Sequence, residues 1–96
     1  MLNKLKLDLL KARKKKDTNK VSVLGFLLSA IQNKEIDLRG QGEELTNEHF
    51  EKVLRKQIKN RNQSIEAYTK GNRQDLVDKE SSELVMLEGL LDEYFG

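Results

Sequence analysis

The run Val21-Ser22-Val23-Leu24-Gly25-Phe26-Leu27-Leu28-Ser29-Ala30-Ile31 is apolar almost throughout. Wound as a helix it carries apolar side chains on nearly every side, the pattern of a central, buried helix. It is too short to span a bilayer, so no membrane segment is expected. Asp17, Thr18 and Asn19 precede it, and each is a suitable N-cap. The pattern predicts a helix from this turn to about Leu38. Ser22, Gly25 and Ser29 form a stripe of small side chains within it. A glycine inside a helix costs roughly 1 kcal/mol against alanine, so the stripe predicts a close approach by a second helix.

Working outward, Leu2, Leu5, Leu9 and Ala12 recur three or four apart and predict a first helix over residues 2–15. Its basic end, Lys11 and Arg13 to Lys16, suits a helix C-terminus. On the other side, Arg39-Gly40-Gln41-Gly42-Glu43-Glu44 reads as an exposed loop. It lacks the Gly-Lys-Ser/Thr ending of a phosphate-binding loop, and no strand precedes it. A third helix is expected from Thr46 to about Lys70. Phe50, Leu54, Ile58, Ile65 and Tyr68 share its apolar face, with Val53 beside them, and Gly71 is the expected left-handed cap. Asn72, with Asp75 three residues later, predicts a capping box opening a fourth helix. Leu76, Leu84, Leu87, Leu91 and Tyr94 form its stripe. There is no proline, and no alternating apolar pattern that would indicate strands. The expected fold is all-α: a compact bundle of four helices with short loops, one domain over residues 1–96.

Cysteine is absent, which excludes disulfides and thiolate metal sites. The N-terminal lysines and leucines interleave instead of forming a continuous apolar core, so a secretory signal is rejected and a cytoplasmic location expected. The net charge is only +2, but it is segregated. Residues 1–20 carry eight Lys/Arg against Asp8 and Asp17; residues 74–96 carry seven acids against Lys79.

Catalysis by a nucleophile needs an activated side chain, a base and an orienting group. The one histidine, His49, has no cysteine or serine motif to serve, and reads as structural or solvated. Glu43, Glu44, Glu48 and Glu51 read as solvating a helix start, where carboxylates are favourable. No catalytic residue, metal site or cofactor is assigned. The segment Lys52 to Gln63 is more informative: it holds five cations and no acid. Lys52, Arg55, Lys56 and Lys59 fall on one helical face, and Asn62 and Gln63 continue it. Such an edge can track a phosphate backbone, although charge runs are more often a solvated face. Arg61, by contrast, falls on the apolar stripe between Ile58 and Ile65. Glu80 falls on the stripe of helix four, with Glu83 adjacent. An ion pair of Arg61 with Glu80 and Glu83 would fix the register of the two helices. Arg73 and Asp75 would extend the network at the corner.

The run Lys59-x-Arg61-x-x-x-Ile65-x-x-Tyr68-x-x-Gly71-x-Arg73-x-Asp75-Leu76, then Glu80-x-x-Glu83-Leu84-x-x-Leu87, resembles the YqeY family, as does Ala30-Ile31-Gln32-Asn33-Lys34-Glu35-Ile36. That family is related to the tail domain of GatB, the tRNA-binding subunit of the glutamyl-tRNA/aspartyl-tRNA amidotransferase. The chain resembles its N-terminal half, and it has Gly25 where the family usually has arginine. The resemblance implies a non-catalytic module contacting tRNA or another structured RNA. Lys52, Arg55, Lys56, Lys59 and Arg73 are the candidate phosphate contacts. Any enzymatic context would be that of a glutamine-dependent amidotransferase, with the chemistry performed elsewhere in its complex. The alternative is a protein-interaction or weak self-association module using the C-terminal apolar residues Leu87, Leu90, Leu91, Tyr94 and Phe95. Salt separates the two readings, because phosphate binding weakens steeply with salt and apolar contacts do not.

Overall fold

A computed structural model describes all of residues 1–96. The chain is all-α, with four helices: α1 (Leu2–Lys14), α2 (Thr18–Gly40), α3 (Asn47–Lys70) and α4 (Gln74–Phe95). None is long and apolar enough to cross a membrane. The residues group into two compact units, Met1–Val53 and Leu54–Gly96, and the boundary falls inside α3.

In the first unit α1 packs on α2. Leu5, Leu9 and Ala12 of α1 are buried, as are Val23, Leu24, Leu27, Ile31 and Leu38 of α2. Phe50, early in α3, completes this buried set. Fully burying a side chain of this kind contributes roughly 1.5–3 kcal/mol. The Asp17 carboxylate caps α2 by accepting the backbone N–H of Lys20 at 3.2 Å. At the start of α3, Thr46 and His49 bond reciprocally. The Thr46 N–H donates to His49 Nδ1 at 3.0 Å, and the His49 N–H to Thr46 Oγ1 at 3.4 Å. This is a capping box with histidine in the place usually held by glutamate.

Three helix ends share one solution. A residue with positive φ turns the chain, and the next N–H reaches back to a carbonyl five residues earlier. Lys16 (φ 56°), Gly42 (φ 73°) and Asn72 (φ 57°) do the turning. The returning bonds run from Asp17 to Ala12 at 3.0 Å, from Glu43 to Leu38 at 2.8 Å and from Arg73 to Tyr68 at 2.9 Å. The sequence places the left-handed residue at Gly71, but it is Asn72, whose short amide side chain tolerates this conformation. Since Asn72 is spent on ending α3, the expected capping box does not form. Arg73 stands at the N-cap of α4 without a side-chain cap bond.

Two expectations for α2 are also corrected. It runs two residues further, to Gly40. It is buried on one side only, for Phe26 is 64% and Ile36 61% exposed. Ser22 and Ser29 are exposed, and a Cβ built on Gly25 would meet nothing within 4 Å. The small stripe therefore receives no second helix. With no packing to offset it, Gly25 carries its helix cost uncompensated. Gly25→Ala is expected to stabilise the protein by about 0.5–1 kcal/mol. Urea unfolding monitored by circular dichroism measures it, and a loss of stability would show that this face is occupied in solution.

Candidate nucleic-acid interface

The second unit contains most of α3 and all of α4. Leu54, Leu87, Leu90 and Tyr94 are its buried residues, while Ile58, Ile65, Tyr68, Leu76 and Leu84 are half-buried. Arg61 lies among them. Its Nε sits 3.4 Å from Glu80 Oε2 and 3.1 Å from Glu83 Oε2. The side chains retain only 18% exposure for Arg61 and 14% for each glutamate. One guanidinium thus bridges two carboxylates one helical turn apart on α4, away from bulk water. Removing one partner of a shielded pair leaves the others desolvated and uncompensated. Arg61→Ala is expected to cost about 1–3 kcal/mol, below the limit for a fully buried pair because some exposure remains. A lowered melting temperature with unchanged helix content checks this; an unchanged one removes the pair from the account.

This packing sets the rotation of α3. With Leu54 and Arg61 turned inward, Arg55, Lys56 and Lys59 emerge on solvent, as does Lys52 one turn earlier on the same helix. No acid is within ion-pair distance of Lys52, Lys56 or Lys59. Asn62 and Gln63 are exposed on the continuation of this edge. The helix therefore holds the four cations in a row, and Lys52, Lys56 and Lys59 face no acid.

Arg73 lies apart from that row, in the turn before α4. Its Nε donates to Asp75 Oδ1 at 3.3 Å and its terminal nitrogen to Oδ2 at 3.2 Å. The hydrogen bond from Arg73 holds the Asp75 carboxyl below the usual carboxylate range, and the same contact raises Arg73. A lowered acid stabilises the folded state above the ordinary carboxylate pKa of about 4. That contribution is lost as pH falls through the lower folded value. Both side chains are mostly exposed, so the effect is local. In Arg73→Ala the Asp75 carboxyl should titrate at higher pH, as followed by carboxyl-carbon NMR; an unmoved midpoint contradicts the assignment.

The C-terminal side chains are less open than the sequence suggests. Leu87, Leu90 and Tyr94 point inward, at 2%, 5% and 6% exposure, which leaves Leu91 and Phe95 half-buried. Leu91 and Ile58 floor a surface cleft of about 380 Å³ whose rim includes Arg55, Lys59, Asn62 and Gln63. An adjoining cleft of about 500 Å³ shares Arg55, Ile58 and Leu91 and adds Glu88, Asp92 and Phe95. Sequence reasoning missed these clefts. Their only signal is that Ile58 sits at the margin between the apolar stripe and the basic edge. A separate cleft of about 570 Å³ in the first unit involves Glu35, Glu43 and Glu44 with Arg39. Its acids give it the opposite character, and no group of three metal-ligating side chains occurs there or elsewhere.

The family model described as Yqey-like protein matches residues 2–95, and the chain belongs to that family. Its relatives include the altered inheritance of mitochondria protein 41 of Lachancea thermotolerans, 41% identical over 87 residues, which cover 91% of this chain and 46% of that protein. The protein of the same name in Vanderwaltozyma polyspora is 39% identical over 89 residues, 92% of this chain and 46% of that protein. That of Saccharomyces cerevisiae strain YJM789 is 36% identical over 89 residues, 93% of this chain and 47% of that protein. The chain thus spans about half the length of the curated relatives it matches. All three are named as mitochondrial proteins, which overturns the cytoplasmic expectation. That expectation rested on the lack of a secretory pattern, which does not distinguish the cytosol from the mitochondrion.

Proposed function

We propose that this chain is a non-catalytic RNA-binding module that contacts tRNA or another structured RNA through the basic edge of α3. The observation that carries the reading is the row Lys52, Arg55, Lys56 and Lys59 on one exposed helical face, with three of the four cations free of any acid. Cations that neutralise phosphates release condensed counterions, and this release drives association. The resemblance to the tRNA-binding tail of an amidotransferase subunit supports the same ligand class. Arg73 is a weaker contact, because Asp75 already engages its guanidinium. Following the mitochondrial names of the relatives, the RNA would be met in the mitochondrion.

The self-association reading has a narrower basis: Val85, 67% exposed on α4, with the half-exposed Leu91 and Phe95. Salt separates the two. Four phosphate contacts give a slope of log affinity against log salt of roughly −3 to −4. Lys56→Glu with Lys59→Glu should weaken binding to many RNAs alike and flatten that slope by about 2. Both side chains are exposed, so the fold should survive. Titration of labelled total tRNA at two salt concentrations measures both effects. Equal affinities for the two proteins, or no binding at low salt, would reduce the edge to solubilising charge.

A further inference from the structure

The paired clefts of the second unit lie beside the basic edge, and their chemistry differs from it. The floor is apolar, formed by Ile58 and Leu91, with the aromatic ring of Phe95 in the adjoining cleft. On the α3 rim stand two cations, Arg55 and Lys59, two amides, Asn62 and Gln63, and one acid, Glu66, which pairs with Lys70 at 3.2 Å. On the α4 rim stand two acids, Glu88 and Asp92. A bare phosphate chain needs only the cations. An apolar floor with amides above it suits a flat, partly polar ring, which rests a face on the floor and presents its edge to donors and acceptors. The size also fits, because small-molecule clefts begin at roughly 300 Å³.

We infer that this cleft seats one unpaired nucleobase of the bound RNA, with its flanking phosphates on Arg55 and Lys59. The inference rests on the RNA-binding reading above. Unpaired bases are recognised by stacking on aromatic rings or Arg guanidinium planes and by hydrogen bonds along their edges, and Arg55 and Phe95 supply those surfaces beside the Ile58 and Leu91 floor. Asn62 and Gln63 each carry a donor and an acceptor and can match a base edge. Charge favours one orientation: Glu88 and Asp92 repel the sugar-phosphate chain from the α4 side, and Glu66 from the far end of the α3 rim, which leaves Arg55 and Lys59 as its place. A second copy of this chain is disfavoured as occupant, because the apolar floor is narrow and charges rim it on both sides.

The test uses the whole chain, with adenosine 5′-monophosphate and inorganic phosphate as separate NMR probes. It adds two RNAs of equal length, a hairpin with an unpaired loop and a fully paired duplex. The nucleotide should shift the Ile58 and Leu91 methyl signals and the Asn62 and Gln63 side-chain amides, whereas phosphate should shift signals near Arg55 and Lys59 alone. The looped RNA should bind about tenfold more tightly than the duplex, the scale of one stacked base. Asn62→Ala with Gln63→Ala, both exposed positions, should shrink that preference, by removing the base-edge hydrogen bonds, and keep the salt slope. Equal binding of loop and duplex with a steep salt slope would overturn the base cleft and leave the phosphate edge standing. Nucleotide shifts at the cleft without binding of either RNA would support the cleft and sink the RNA reading. A loop preference undiminished in the double variant overturns the inference. So do signals at Leu91 and Phe95 that move with protein concentration and not with nucleotide.

Discussion

The second unit turns on one guanidinium. Arg61 reaches Glu80 and Glu83 from a position that would otherwise hold a leucine or isoleucine, and the three charges lie mostly out of water. Apolar contacts alone would tolerate some rotation of α3 about its axis, since Ile58, Ile65 and Tyr68 are only half-buried. A shielded charge does not tolerate it, because any rotation that parts it from the carboxylates leaves it unsolvated. The ion triad therefore selects one rotation of α3. The outward course of Lys56 and Lys59 and the rim position of Arg55 both follow from it.

The first unit is organised differently. Its order comes from apolar burial between α1 and α2 and from side chains that close helix ends, Asp17 on α2 and Thr46 with His49 on α3. The charged groups there stay at the surface, and its cleft includes Glu35, Glu43 and Glu44 beside Arg39.

Helix number and type were legible because amphipathic spacing is a local property, and Leu5, Leu9 and Ala12 or Phe50 and Leu54 need no knowledge of their neighbours. The unusual standing of Arg61 and Glu80 was legible for the same reason, since each interrupts an apolar stripe. What failed was what depends on a partner surface. Phe26 and Ile36 look like core residues by type, but sequence does not record that only one side of α2 is covered. Leu90 and Tyr94 look exposable, but they turn inward while Leu91 moves to the margin. Gly71 attracts the cap assignment because glycine suits positive φ, although the backbone spends that conformation one residue later, on Asn72. The cleft at Ile58 and Leu91 was invisible because it joins residues more than thirty positions apart.

The turns at Lys16 and Asn72 have a kinetic meaning as well. Each reverses the chain within about three residues and closes its own helix end by a bond five residues back. The loops closed in bringing α1 to α2, and α3 to α4, are therefore short, and short loops cost little chain entropy to close. Chains dominated by such local contacts reach their folded state in microseconds to milliseconds. Little time is then spent with Phe50 or Leu87 uncovered, so a newly released chain has a brief window for aggregation or proteolysis. The chain gains further in this respect: with no proline at all, it has no slow prolyl isomerisation to wait for.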